Sequence, residues 1–306
     1  MIRYIALRLA FALPALWLIV TLVFLLAHIV PGDPVQQMLG EGARVEDLQR
    51  LRHALRLDMP VSAQYGHYLA GVLRGDLGES FRFREPVTRV ILAHYPATLE
   101  LALVALLVCA AIGIPAGLLA AERRGSSTDH AIGLFTLLGL SVPNFALGPV
   151  LILVFSVLLG WLPVSGRGGP LHFVLPALTL GAALAAILTR MVRTSVMEEL
   201  SSDYVRTARA KGLSDSAVLF RHAFRNALIP ILTILGLQFG TLLAGTIVTE
   251  TIFSWPGIGR LVVQAIGARD YPLLQGCILF IAVSYVLVNL LTDFVYAIVD
   301  PRVRVE

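Results

Sequence analysis

Six stretches of the chain stay apolar long enough to cross a bilayer, with polar, charged segments between them. They cover residues 9–30, 97–121, 131–160, 174–191, 229–249 and 273–299. A helix rises ~1.5 Å per residue and the hydrocarbon core is ~30 Å thick, so about 20 residues make a span. The third stretch exceeds that need and must tilt, kink or project. Ser141-Val142-Pro143-Asn144 supplies its break, because Pro143 removes a backbone donor in mid-segment. A re-entrant pair of half-helices is the alternative form. The fourth stretch, rich in Ala and Gly, carries the weakest signal. The pattern predicts an all-α membrane protein of six transmembrane helices. Its units are the first helix (1–30), an extracytoplasmic helical segment (31–96) and a five-helix core (97–306).

Two polar segments carry helical signals of their own. In 31–96, Val45, Leu48, Leu51 and Leu55 recur at helical spacing, and Pro60 opens a second amphipathic run through Leu73. Two short helices there suit a platform for an extracytoplasmic partner, or a cover with none. Between the fourth and fifth spans, residues 192–228 form a loop. Within it, Arg206-Thr207-Ala208-Arg209-Ala210-Lys211-Gly212 sets helix formers before a glycine, the usual residue past a helix end. Leu213 follows, and Ser214 is placed to cap a second helix running through Asn226. A basic helix-turn-helix of this kind suits an anionic surface, but the flanking spans exclude nucleic acid.

Charge sets the orientation. The stretch 190–225 holds seven Lys/Arg, and Arg3, Arg8, Arg123, Arg124, Arg302 and Arg304 fall on the same side. The positive-inside rule therefore puts both termini and the 192–228 loop in the cytoplasm. The 31–96 segment has eight Arg against eight Asp/Glu and is long enough to escape that rule. With 57% apolar and 14% charged residues in 306, and a mean hydropathy of +0.80, a soluble globule is excluded. The first span ends without a small-x-small cleavage site and reads as an uncleaved anchor. Cys109 and Cys277 fall inside spans, as small buried hydrophobes.

Inside the spans, Gly113-x3-Gly117 and Gly236-x3-Gly240 allow close helix contact. Gln238 and Asn289 either face a pathway or bond a neighbouring helix. With Asn144 they are the candidate pathway-lining positions. Glu100, Glu250 and Asp293 lie near span ends, where they can snorkel or pair. No carboxylate or His relay sits at mid-membrane and no inverted repeat is visible, which counts against an ion-driven carrier. The sole lysine, Lys211, precedes Gly rather than Ser or Thr, so this chain has no phosphate-binding loop for ATP. The seven His form no zinc pair and no Gly-x-Ser-x-Gly elbow occurs. No catalytic or metal-binding residue is assigned, and the chain is not read as an enzyme.

The 206–212 run, with Arg225-Asn226-Ala227-Leu228-Ile229-Pro230, resembles the cytoplasmic signature loop of ABC-importer permeases. The resemblance is to the family that moves dipeptides, oligopeptides, glutathione and nickel. It extends over nearly the whole chain, through Tyr4-x3-Arg8-Leu9, Pro31-Gly32-Asp33-Pro34, Pro96-Ala97-Thr98-Leu99-Glu100-Leu101 and Trp161-Leu162-Pro163. It continues in Phe253-Ser254-Trp255-Pro256-Gly257-Ile258-Gly259-Arg260, Arg269-Asp270-Tyr271-Pro272 and Asp300-Pro301-Arg302-Val303-Arg304. Arg206-Thr207-Ala208 stands where the broader permease loop has Glu-Ala-Ala. The resemblance implies a permease subunit of a binding-protein-dependent importer in a bacterial or archaeal cytoplasmic membrane. Its implied partners are a second permease, one or two cytoplasmic subunits that bind ATP and Mg, and an extracytoplasmic binding protein. Residues 206–214 would then be the ATPase-coupling loop. Di- or oligopeptides are the expected cargo, with nickel chelates or glutathione as alternatives. The competing reading is a membrane scaffold that docks a cytosolic partner through the same loop.

Overall fold

The computed structural model describes residues 2–29, 34–39, 42–54 and 57–299. These residues fold into helices, with one isolated antiparallel bridge between Glu79 and Pro86. Pro31-Gly32-Asp33, Leu55 and the Asp300–Arg304 motif lie outside the described residues.

The chain opens with α1 (Ile2–Ile29), whose described apolar stretch is Ala12–Leu25. Where two short helices are expected next, three form: α2 (Pro34–Leu39), α3 (Val45–Ala54) and α4 (Val61–Arg74). Glu46 and Asp47 occupy the first turn of α3, complementing its dipole. Gly75 closes α4 in the left-handed conformation (φ 76°) and returns its N–H to Gly71 and Val72. The α4 helix leans on α1 through Tyr65 and Tyr68 against Phe24, with the Tyr65 hydroxyl 2.8 Å from Thr21 Oγ1.

Four helical rods are long and apolar enough to cross a membrane: Val87–Glu122, Leu171–Leu200, Asp215–Gly245 and Tyr271–Phe294. They are α5 (Val87–Glu122), α8 (Leu171–Leu200), a composite ending in α11 (Phe224–Gly245), and α14 (Tyr271–Val299). The composite rod starts as α10 (Asp215–Ala217) and passes through a π-helical turn, Val218–Ala223. The second helix expected after Ser214 is therefore no separate element. It is the first part of the next rod. Between α5 and α8 lie α6 (Ser127–Ser141) and α7 (Asn144–Leu151), the latter continued by a π-helical stretch, Ile152–Leu158. The chain breaks at Val142-Pro143, and the second arm is bent by 100° from the first. The expected break thus falls at the expected proline.

The α5 helix starts at Val87, well before the predicted 97. Its extra turns are buried: Val87, Val90 and Ile91 pack against Leu273 and Cys277 of α14. The predicted boundary at residue 96 therefore falls inside a helix, and Pro96 is accommodated within it. The fourth stretch was weak for a packing reason, since α8 is the most buried of the four rods. A Cβ on Gly117 would stand 2.5 Å from Val192 Cβ and 2.7 Å from the Thr189 carbonyl oxygen. Gly181 of α8 meets the Ala105 carbonyl in the same way, at 2.9 Å. Gly236 sits equally close to Thr292, joining α11 to α14. Small residues here let backbones approach, so α5 and α8 form the central pair.

Three further helices complete the chain: α9 (Asp203–Ala210), α12 (Ile247–Ile252) and α13 (Ile258–Gly267). The α12–α13 pair occupies the stretch expected as a loop. One face of α13, Ile258, Leu261, Val262 and Ala265, packs into the α5–α14 core. The α9 helix stands at the other end of the bundle, beside the end of α8.

Candidate functional site

The α9 helix is tethered by little. Ser202, extended at φ −74° and ψ 155°, precedes it, and Asp203 occupies its first turn. Val205 and Ala208 are its buried residues, and they rest on Leu200 and Val218. Of the nine residues from Arg206 to Ser214, Ala208 alone faces inward and the other eight are exposed. Arg206 lies 3.6 Å from Asp203 and Arg209 lies 3.6 Å from Asp215, with the arginines 83% and 53% exposed. Exposed pairs of this kind contribute about 0–1 kcal/mol. Both guanidinium groups therefore remain available to a partner's carboxylates.

Gly212 ends α9 at φ 81°, and a Cβ added there would meet open space, with no neighbour within 4 Å. The chain then reverses, and Ser214 Oγ accepts the Ala217 N–H at 3.4 Å. Tyr204 donates to Glu199 at 2.5 Å. Partial burial, then that bond, pushes the Tyr204 phenol above its ordinary range, so it stays a protonated donor. The result is a short, cationic helix held on the bundle end by two small side chains. That is a surface on which another protein can take hold.

The three candidate pathway positions have different surroundings. Asn144 is half-buried at the first position of α7, just past the break. Gln238 is 4% exposed and uses both ends of its amide. It donates to the Leu184 carbonyl at 3.1 Å and accepts from Cys109 Sγ at 3.2 Å, joining α8, α11 and α5. Asn289 keeps a buried Oδ1 without a hydrogen-bond partner, facing Gly240.

Polar clusters hold the opposite end, around Glu100 and Glu250, which the sequence placed near span ends as charges able to snorkel or pair, and around Asp270, whose partners it did not indicate. Glu250 is fully buried. Its Oε1 accepts from Thr98 Oγ1 at 2.7 Å and Thr246 Oγ1 at 3.0 Å, and its Oε2 accepts the Arg260 N–H at 2.9 Å. Thr98 Oγ1 accepts the Ile258 N–H at 2.8 Å, and the Trp255 indole donates to the Ala97 carbonyl at 2.8 Å. A side chain at Gly257 or Gly259 would collide with the Glu250 carboxylate. Two glycines spaced around Ile258 were the available signal for a buried acceptor nearby. Asp270, also fully buried, accepts from Ser80 Oγ at 2.5 Å and the Arg82 N–H at 3.1 Å. Glu100 pairs with Arg167 at 2.6 Å. The α12–α13 pair is thus pinned to α5 at one end and to the 80–82 segment at the other.

These features define a class: an all-helical, multi-pass membrane protein with one end pinned by buried carboxylates and the other offering an exposed cationic helix. Known proteins narrow it. Residues 113–305 match the family described as binding-protein-dependent transport system inner membrane component, and residues 1–102 match that family's N-terminal part. The chain is 45% identical to the di/tripeptide transport system permease protein DppB of Pseudomonas aeruginosa, over 99% of each chain. It is 43% identical to the glutathione transport system permease protein GsiC of Escherichia coli K12, again over 99% of each. Among solved structures it resembles a chain of the inward-facing MetNI methionine ABC transporter, with a TM-score of 0.59 at 18% identity. That likeness covers 69% of this chain and 96% of the other. An amino acid ABC transporter chain matches with a TM-score of 0.51 at 18% identity.

The chain belongs to the family of binding-protein-dependent transport system inner membrane components. It is a permease subunit of an ABC importer, a multi-pass protein of the inner membrane.

Proposed function

We propose that this permease forms half of a translocation pathway for small peptides, and that a cytoplasmic ATPase drives it through α9. The observation that carries the reading is the exposure of Arg206, Thr207, Arg209 and Ala210 on a helix anchored by Val205 and Ala208, and of Lys211, Gly212, Leu213 and Ser214 in the turn that follows it. A partner gripping that surface moves the end of α8 and the start of the next rod together, because α9 is packed on both. Rigid displacement of this kind is one of the established routes of transporter switching.

In this reading α1, α5, α6–α7, α8, α11 and α14 are the six crossing segments. Both termini and α9 are cytoplasmic in this reading, which the distribution of arginines supports. The α2–α4 segment lies outside and receives a substrate-binding protein. A second permease completes the pathway, and one or two cytoplasmic subunits hold ATP and Mg and hydrolyse it. This chain contributes no catalytic group. The cargo follows from the two relatives, whose names carry di/tripeptides and glutathione, and glutathione is itself a tripeptide. Small peptides are the shared chemistry.

Uptake of labelled dialanine, glutathione and nickel, in cells with and without the gene, tests this reading. Loss of either peptide uptake, restored by wild type, supports it. Loss of nickel uptake alone keeps the importer and overturns the cargo. Failure of the purified chain to co-purify with any ATP-hydrolysing subunit overturns the coupling role of α9.

A further inference from the structure

The reading of α9 as the ATPase contact leaves open how its displacement reaches the broken helix. One polar contact stands on that route. Asp129, in the first turn of α6, is 7% exposed. It receives a two-pronged bond from Arg193 of α8, Nε to Oδ1 at 2.7 Å and Nη2 to Oδ2 at 2.8 Å. Oδ2 also accepts the Gly125 N–H at 3.0 Å, and the Asp129 N–H bonds Ser126 Oγ at 3.3 Å. The turn that starts α6 is thus built around this carboxylate.

Beside the pair a cavity of about 440 Å³ opens, lined by Asp129, Gly133, Thr136 and Leu137 of α6 and by Thr189, Arg190 and Arg193 of α8. Further along, a Cβ on Gly139 would stand 3.3 Å from Ala186 Cβ. An ion pair near its start and a small-residue approach near its end thus join α6 to α8. Arg193 lies about two turns before the end of α8, and α9 follows α8 after Ser201 and Ser202. Past the break at the far end of α6, Gly148 of α7 meets Phe253 and Ile252, at 3.3 and 3.4 Å from its Cβ position.

We propose that the Asp129–Arg193 pair is a positioning contact for transport, carrying displacement of the α9 end of α8 into α6 and on to α7. The two-pronged geometry fixes orientation as well as distance, which a single bond or a greasy contact does not. The pair ties the start of α6 to α8 beside an open cavity. Without the pair, the partner ATPase still grips α9 and still hydrolyses ATP, but the broken helix no longer follows. The permease then slips.

The test uses the whole complex in liposomes, with second permease, ATPase and binding protein, and counts labelled dialanine or glutathione moved per ATP hydrolysed. Asp129→Asn lowers that ratio about tenfold, within the ~5–150-fold span of site-to-site coupling, while basal hydrolysis and assembly persist. Arg193→Lys, which keeps charge but loses the fork, gives a smaller fall and serves as the readout where Asp129→Asn does not assemble. The exchange Asp129→Arg with Arg193→Asp restores part of the loss. A purely structural pair would lower yield and leave the ratio of the assembled fraction at wild type in all variants, which overturns the proposal. Gly212→Val separates the two levels. If it lowers the ratio and the Asp129 and Arg193 variants do not, the pair is idle and the α9 reading stands. If neither site matters, the α9 reading fails and this proposal fails with it.

Discussion

Thr98→Val keeps the side chain's size and removes one hydroxyl that serves two partners. That hydroxyl donates to Glu250 at 2.7 Å and accepts the Ile258 N–H at 2.8 Å. Interhelical hydrogen bonds in membrane proteins average ~0.6 kcal/mol, which is the share of the bond to Glu250. The larger loss is the Ile258 N–H, left without an acceptor at a residue that is 1% exposed. An orphaned buried donor costs ~1–3 kcal/mol. The substitution therefore costs about 2–4 kcal/mol in all. Thr246→Val is the matched control. It removes one bond to the same Glu250 Oε1, worth ~0.6 kcal/mol, and strands no backbone group.

At ~2–4 °C per kcal/mol, Thr98→Val melts about 4–16 °C below wild type and Thr246→Val about 1–2 °C below. Tryptophan emission of the detergent-solubilised protein reports on the cluster itself. Trp255 is fully buried there, whereas Trp17 and Trp161 are 55% and 66% exposed. Thr98→Val lowers the melting temperature and red-shifts the buried component, and Thr98→Ser reverses most of both effects. Equal shifts for Thr98→Val and Thr246→Val would refute the claim that Thr98 supports the Ile258 backbone.

Three further outcomes follow from single positions. Gly212→Val strains a φ of 81° in open space, costing the loop at least ~1–2 kcal/mol. Uptake of labelled dialanine or glutathione falls about tenfold in cells that hold normal amounts of the protein, and Gly212→Ala falls less. Gly117→Leu forces a side chain into Val192 and the Thr189 carbonyl. It costs ~1–3 kcal/mol or more, seen as a lower melting temperature and a lower yield of monodisperse protein. Asn289→Leu removes a buried oxygen that has no partner, so the melting temperature holds or rises by up to ~4 °C. A clear fall would mean that the amide supports a neighbouring helix.

What the sequence made legible was local. The five apolar stretches after the first, the break at Val142-Pro143 and the start of α3 at Val45 each depend on signals within a few residues. The early start of α5 was hidden because Arg82, Arg84, Glu85, Arg89 and His94 lower the local hydropathy. One face of that segment is nevertheless apolar, and Val87, Val90 and Ile91 bury it against protein rather than lipid. Hydropathy weighs a segment against the bilayer and cannot register a face matched to another helix. The same limit explains α8, whose Ala and Gly looked weak as a lipid-facing span and serve instead as the closest packing surface in the bundle.

The candidate site divides along the same line. Exposure of α9 was readable because charge density and a closing glycine are local facts, and the left-handed Gly212 agrees with them. The carboxylates that hold the bundle were not readable, because Glu250, Asp270 and Asp129 meet their side-chain partners across 152, 190 and 64 residues of sequence. As isolated letters near span ends, such residues look like snorkelling charges. In the fold, two of them are fully buried and the third nearly so, and each is answered by donors from a different element. This distribution has a mechanical consequence. Removing a partner from a buried carboxylate is costly, whereas an exposed ion pair on α9 contributes little. The α12–α13 end is therefore the costlier one to deform, and α9 is the less tethered. On the reading proposed above, that asymmetry lets a grip at one end be converted into opening at the other. The Asp129–Arg193 pair stands on the α9 side of it, about two turns before the end of α8.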